Sequence, residues 1–460
     1  MKLIYKVSDR PKFGQLIIFA IQQLLAIMAA TLVVPINVSS AVADIEGLAE
    51  YPNMSPAAAL VGAGIGTLVY VLFTRRKSPV FLGSSFAFIP SMIAAFAGAT
   101  TSVALGYLGL VIGAALAGLV YVILAIVVKL AGTKWIDKLM PAVVIGPTVS
   151  IIGLGLAGSA VGQLQTANAG GDYRIAILVG LVTLAVTMLF SVYGKKFGKL
   201  IPFILGILSG YLFATILTVI GNAANVDALK IIDFSAFSGL LTDGKVTVNT
   251  FVSLPDFTFL KAFGAFGGLN GPYFATVATA YVPVAFVVFA EHLADHKNLS
   301  TVIESDLTKE PGLHRTLLGD GIGSIAGALV GGAPNTTYGE SIACVAITGN
   351  ASVATIITAA FLAIAVGFIN PFVAFVNTIP LCVMGGVCMA LYGFIAVSGL
   401  KMVQKVDLGD NRNLFVVSVI LIAGIGGLAI SFGSINITTV ACALILGILT
   451  NLMLSGKKKQ

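Results

Sequence analysis

The chain has 460 residues, 58% of them hydrophobic and 10% charged, with a mean hydropathy of +1.02 and a formal net charge of +7. Soluble domains carry about 25% charged residues, so this inventory cannot cover a water-facing surface and excludes a large soluble domain. Apolar runs recur from Phe13 to Leu454 at lengths near the roughly 20 residues that a spanning helix needs, which predicts an all-α polytopic membrane protein.

In chain order, the first run (Leu16 to Val34) is longer than a signal-peptide core. It is read as a retained helix, and "AVA" at 41–43 as loop rather than a cleavage site. Punctuation by Gly, Pro and charge divides the rest, giving fourteen segments in all. They lie near 14–36, 57–74, 79–99, 103–130, 138–162, 174–193, 199–221, 272–297, 312–331, 334–350, 352–375, 378–399, 413–432 and 435–455. A more polar stretch, 222–271, separates the seventh from the eighth and contains the strand-like alternation "KVTVNTF". Cys344, Cys382, Cys388 and Cys442 lie in or beside apolar segments at no metal-ligand spacing and are expected as small buried thiols.

The basic residues test this division, because Lys and Arg stay on the cytoplasmic side of a membrane. With the N-terminus inside, twenty-two of the 26 fall in inner connections, including Arg75, Arg76 and Lys77, then Lys195, Lys196 and Lys199, and finally Lys457, Lys458 and Lys459. Only Arg174, Lys230, Lys245 and Lys261 fall outside. Both termini are therefore expected in the cytoplasm and the long loop outside. The positive charge follows from this topology and calls for no nucleic-acid partner.

Fourteen spans split by one loop suggest seven plus seven, and an odd number per half makes the second an inverted repeat of the first. Such carriers bind substrate near mid-membrane between interrupted helices, so corresponding segments should both be broken. Segment three opens "SPVFLGSSFAFIPS" (78–91) and segment ten opens "GGAPNTTYGES" (331–341), both rich in poor helix formers. Non-helical backbone at that depth must face protein or a water-filled cavity.

Ionisable groups inside a membrane are functional candidates by default. Glu340 sits at the break of segment ten. Glu291 and Asp295, in "AEHLADHK" (290–297), share one helix face, and His292 and His296 share another. The octapeptide alone reads equally as a helix emerging into water; "NLSTVI" (298–303) carries no breaker, so the helix can run past it, with Lys297 snorkelling to the surface. A carboxylic acid that can be protonated near neutral pH is a proton carrier, and once ionised it accepts N–H groups of a ligand. "GDGIGS" (319–324) lacks the strand–turn–helix setting of a dinucleotide fingerprint. The pairs Gly62/Gly66 and Gly109/Gly113 read as close helix packing, and Asp320 as structural.

"GSSFAF" (83–88), "AEH" followed by His296, "PGLHR" (311–315) and "PNTTYGE" (334–340), in this order and over essentially the whole chain, resemble the nucleobase–ascorbate transporters (nucleobase:cation symporters type 2), and among them the bacterial uracil permeases. The resemblance implies a core of segments 1–4 and 8–11 (1–136 and 272–376) and a gate of segments 5–7 and 12–14 (137–221 and 377–460). The loop 222–271 lies between the halves. It further implies short antiparallel strands in segments three and ten, and a homodimer.

Carried over residue by residue, the resemblance has Glu291 and Glu340 hydrogen-bond the base, the latter beside the backbone of Gly339. Phe86 and Tyr338 line the site with Ser85 adjacent, His296 supports it from behind, and Tyr392 faces it from the gate. Glu291, His296, Glu340 and Gln23 are the proton-coupling or supporting candidates. The family pattern has Gln-His in segment one where this chain reads Gln22-Gln23, and different residues where this chain has Ser341, Ala343 and Gly349. The expected activity is import of a nucleobase, uracil first, by proton symport across the cell (inner) membrane, with no enzyme activity, metal or organic cofactor. A xanthine or urate permease, and behind it an inorganic-anion carrier of the same architecture, are the alternatives.

Overall fold

In the computed structural model, which describes residues 3–43, 45, 52–99, 102–133, 135, 140–241, 244–432 and 435–455, the apolar runs form helices in the expected order. Segments one, two and four are Phe13–Ala43, Pro56–Phe73 and Val103–Ala131. Segment three is a strand, β1 (Leu82–Ser84), a single turn at Phe86–Phe88 and the helix Ile89–Ala97. Segment five is Ala142–Gly155 continued by Ala157–Leu164; six and seven are Tyr173–Tyr193 and Pro202–Ala224. In the second half, eight is Gly271–Ile303, nine Leu313–Gly331, and ten a strand, β2 (Asn335–Thr337), with the helix Gly339–Thr348. Segment eleven is Val353–Gly367 with Asn370–Asn377, twelve Leu381–Val403, thirteen Asn411–Ile425 and fourteen Thr439–Met453. Eight of these helices are long and apolar enough to cross a bilayer unaided.

Three expectations are corrected. "AVA" at 41–43 is the last turn of the first helix, because nothing after Pro35 breaks it. "KVTVNTF" forms no strand of a sheet: Val248–Phe251 is a helical turn whose capping box joins Thr247 and Thr250, a local bond that outcompetes the alternation. Segments thirteen and fourteen are shortened by a hairpin, β3 (Ile430–Phe432) paired antiparallel with β4 (Ile435–Ile437), which follows a left-handed Gly427 at φ +73°. Lys2, Lys134, Lys138, Lys457, Lys458 and Lys459, and the boundary at 136/137, lie outside the described residues. The helix of segment eight does continue past the charged octapeptide, to Ile303.

The segments pack in two groups. Segments one, two, four, nine and eleven lie against one another, with segment eight on segments three and four; segments five, six, seven, twelve, thirteen and fourteen form the other group. Segments two and nine touch through glycine. A Cβ on Gly62 would lie 2.4 Å from the Gly327 carbonyl oxygen, and one on Gly323, in "GDGIGS", 2.7 Å from that of Gly66. This motif is a packing surface.

The breaks of segments three and ten meet. β1 and β2 pair antiparallel, Leu82 with Thr337, Gly83 with Thr336 and Ser84 with Asn335, and every one of these residues is buried. Ser85 N donates to Pro334 O (2.8 Å) and Tyr338 N to Phe81 O (3.2 Å), extending the ladder at both ends. Side chains complete it. Leu82 N donates to Thr67 Oγ1 (2.9 Å), Phe81 N to Ser341 Oγ (2.9 Å), and Tyr338 Oη to Ser84 O (2.7 Å). An unpaired amide would cost several kcal/mol in hydrocarbon, so the two breaks are stable only together. A Cβ on Gly83 would lie 2.3 Å from the Tyr338 ring. Gly83→Ala should therefore destabilise the protein by about 1–3 kcal/mol, read as a lowered thermal midpoint in detergent; an unchanged midpoint would contradict this packing.

Candidate substrate-binding site

The crossed strands place two short helices with their N-termini at one point. The turn beginning at Phe86 and the helix beginning at Gly339 both start where their strands end. The first N–H groups of a helix have no intrahelical partner, and the end carries partial positive charge. Glu340 lies in the first turn of the second helix, where a carboxylate is favoured.

In front of these ends is a cavity of about 400 Å³. Six of the expected residues line it: Ser85, Phe86, Glu291, Tyr338, Gly339 and Glu340. The far wall comes from segments five, seven and twelve, including Val149, Phe203, Leu391 and Ser398, with Lys199, Leu200 and Met402 at one end. The wall is mostly apolar with a few convergent polar groups, the usual make-up of a small-molecule site.

Three expected residues lie behind the lining. Tyr392 sets its ring edge-on to Phe86, centroids 6.0 Å apart, while its hydroxyl accepts from Asn37 Nδ2. Asn37 in turn accepts from Gln163 Nε2 (2.5 Å), and Cys388 Sγ lies within 3.7 Å of both amides. This buried cluster joins segment one to segments five and twelve. His296 is turned away from the cavity. Its Nε2 is 2.7 Å from Tyr70 Oη, which is 2.7 Å from Ser78 Oγ, and its Nδ1 is 2.8 Å from the His292 carbonyl. Its ring stacks on His292 at 3.9 Å, and His292 Nδ1 lies 2.6 Å from Asp320 Oδ2 and its Nε2 3.0 Å from Thr316 Oγ1. The octapeptide thus has two faces: Glu291 and Asp295 to the cavity, the histidines to segments two and nine.

Gln23 is buried and bonds Ser341 Oγ, the same oxygen that accepts from Phe81 N. Two departures from the family pattern are therefore direct partners, and together they support the start of β1. Sequence reasoning left Asp295 unassigned; it lines the cavity and accepts from Thr337 Oγ1 at 2.8 Å. It also passed over Thr336, a lining residue whose hydroxyl, like that of Ser85, has no protein partner, and Lys199 at the cavity's edge. The signal for Asp295 was its four-residue spacing from Glu291; the Thr pair stood inside a quoted motif. All four cysteines are free and buried.

Removing one member of the Gln23–Ser341 pair strands the other's buried polar group, at about 1–3 kcal/mol. Ser341→Ala and Gln23→Leu should each lower stability by that order, and the double variant by less than their sum. Strict additivity in chemical denaturation would refute the contact.

The sequence model of a family described as Permease family matches residues 14–432. The uracil permease of Bacillus caldolyticus is 40% identical over 461 residues, covering 99% of this chain and 96% of that protein. The uracil permease of Bacillus subtilis (strain 168) is 37% identical over 462 residues, covering 99% and 96%, and that of Escherichia coli (strain K12) is 34% identical over 447, covering 96% and 92%. Among solved structures, the transmembrane domain of a cyanobacterium bicarbonate transporter aligns with a TM-score of 0.59 at 15% identity, covering 97% of this chain and 100% of that one. A murine solute carrier 26 family member A9 anion transporter in the inward-facing state aligns at 0.60 and 11%, covering 97% and 69%. At such identity these two show the fold, a seven-plus-seven transporter architecture, and nothing of the cargo. The chain belongs to this permease family, the nucleobase–ascorbate transporters that its motifs resemble.

Proposed function

We propose that this chain imports a nucleobase, with uracil as substrate and the proton as coupling ion. The observation that carries the reading is that Glu291, Glu340 and Phe86 line one cavity. A uracil ring presents N–H donors and carbonyl acceptors around an aromatic plane. The carboxylates accept the N–H groups. The N–H groups of Phe86 and Gly339, each the first residue of its helix, and the unpaired hydroxyls of Ser85 and Thr336 answer the carbonyls. The Phe86 ring packs on the base. The relatives named uracil permeases support the choice of cargo. Three carboxyl groups against one lysine at the edge disfavour an inorganic anion.

Glu291, Asp295 and Glu340 are intramembrane acids that can take up or release a proton as the cavity changes sides, which supports proton symport. His296 and Gln23 act from behind, holding segment eight and β1 in place. In this reading the two packing groups are the core (1–136, 272–376) and the gate (137–221, 377–460), and they rock about the cavity. Lys199 and Met402 line the cavity close in sequence to the inner basic residues Lys196 and Lys401, which supports a cavity open to the cytoplasm, the side expected for both termini. The Asn37–Gln163–Tyr392–Cys388 cluster closes the other side. Residence in the cell membrane and the homodimer implied by the resemblance belong to the same proposal.

Labelled uracil uptake in cells lacking their own carrier tests it directly. Accumulation above vector, abolished by a protonophore, is expected; absent uptake removes the cargo, and indifference to the protonophore removes the coupling. Glu340→Gln should weaken uracil binding at least about tenfold, some 1.4 kcal/mol, and unaltered affinity would discard its assigned role. In a variant keeping Cys388 as sole cysteine, Asn37→Ala should accelerate its labelling by a membrane-impermeant thiol reagent applied outside. An unchanged rate would show that the cluster does not close that side.

A further inference from the structure

We propose that residues 246–270, the second part of the loop between segments seven and eight, lie in the headgroup–acyl boundary of the bilayer, with the lipid of that leaflet as their partner. The inference rests on an inside-out pattern. Val248, Phe251, Leu254, Leu260, Phe263 and Phe266 are 80, 59, 80, 61, 72 and 60% exposed. Between 258 and 266 the buried residues are small, Thr258, Ala262 and Ala265, on the side packed against segment four, while Phe257 and Phe259 are half-buried and Phe257 packs on Phe368. An element bathed in water places its large apolar side chains inward and its small or polar ones outward. Here the spacing 260, 263, 266 faces outward and 258, 262, 265 inward.

What covers this face follows from its connections. At one end Asn270 caps segment eight, Asn270 Oδ1 accepting from Tyr273 N (2.8 Å), and the exposed face continues into Phe274 in that helix's first turn. At the other end the chain is fastened to the break between the two helices of segment eleven. Val252 bridges Ile369, Ser253 N donates to Phe368 O (3.1 Å), and Asn370 Nδ2 donates to Asn249 O (2.7 Å). The stretch is thereby held level with the start of segment eight and with the break after Gly367, where the longer helix of segment eleven ends. Its charge is held back from the apolar face. Lys261 pairs with Asp256 (2.5 Å), donates to Asn53 O (3.0 Å) and sits 4.8 Å from the centre of the Tyr107 ring. A tyrosine and a lysine at such a level are typical of a membrane boundary. The first part of the same loop differs: exposed Asp233, Ser235 and Ser238 mark it as wet.

Trp135 is the only tryptophan, so Trp135→Phe gives a silent background. Phe263→Trp and Phe266→Trp, each introduced singly, and Ser238→Trp as a solvent reference, are reconstituted into phosphatidylcholine–phosphatidylglycerol vesicles. The lipid is brominated either near the headgroup or near the chain end, and acrylamide is supplied on both sides. Tryptophan at 263 and 266 should be quenched at least twofold more by the shallow bromine than by the deep one, and less by acrylamide than at 238. Quenching by acrylamide alone would place the stretch in water and overturn the proposal. Protection from both quenchers would also overturn it, since the face would then be covered by protein, such as a second copy.

Discussion

The structure depends on one constraint: backbone that is not helical must find every hydrogen bond inside the protein while it sits at membrane depth. β1 and β2 meet that constraint for each other, three residue pairs at a time, with Thr67, Ser341 and Tyr338 closing the remaining valences. Because neither strand is satisfied alone, the two halves of the chain are locked at their centre. The same crossing leaves two helix N-termini at one cavity, and this is what makes a structural solution a candidate binding site. Glu340 and Phe86 stand at the helix ends because the strands stop there.

Much of this was legible in the residues, for identifiable reasons. Hydrophobic length and Lys/Arg alternation are strong signals in a membrane chain, so the fourteen segments were readable. The paired breaks could be matched by position alone. What could not be read was direction within a local patch. "AEHLADHK" offered two faces, and only packing decides that Glu291 and Asp295 meet the cavity while His292 and His296 turn to Asp320 and Tyr70. The strand-like alternation of "KVTVNTF" makes no strand because a capping box between Thr247 and Thr250 is a stronger local device than alternation. The β3–β4 hairpin was hidden because its residues continue the apolar runs on either side.

Pairing also changes the meaning of sequence departures. Gln23 and Ser341 are 318 positions apart and read separately as two losses of a family feature; in this chain they are one contact, an amide donating to a hydroxyl. The same hydroxyl accepts from Phe81 N. The Asn37 cluster works similarly across the two packing groups, where four polar side chains from three segments satisfy one another away from water.

Within an inverted repeat, the connection from segment six to seven and that from thirteen to fourteen occupy equivalent places. They are chemically unlike: one is the short helix Lys196–Leu200, packed on segments one and ten at the open end of the cavity, and the other is the β3–β4 hairpin, whose second strand lies on segment eight. In the proposed rocking of the two packing groups, the two end states of the empty carrier are therefore not mirror images in energy. On that proposal their ratio depends on which connector packs better when closed, and so on residues such as Ile430–Phe432 of the hairpin that lie outside the cavity lining. Apparent affinity measured from one side scales with the fraction of molecules facing it. Relatives with identical binding residues could thus differ in affinity through their connectors alone.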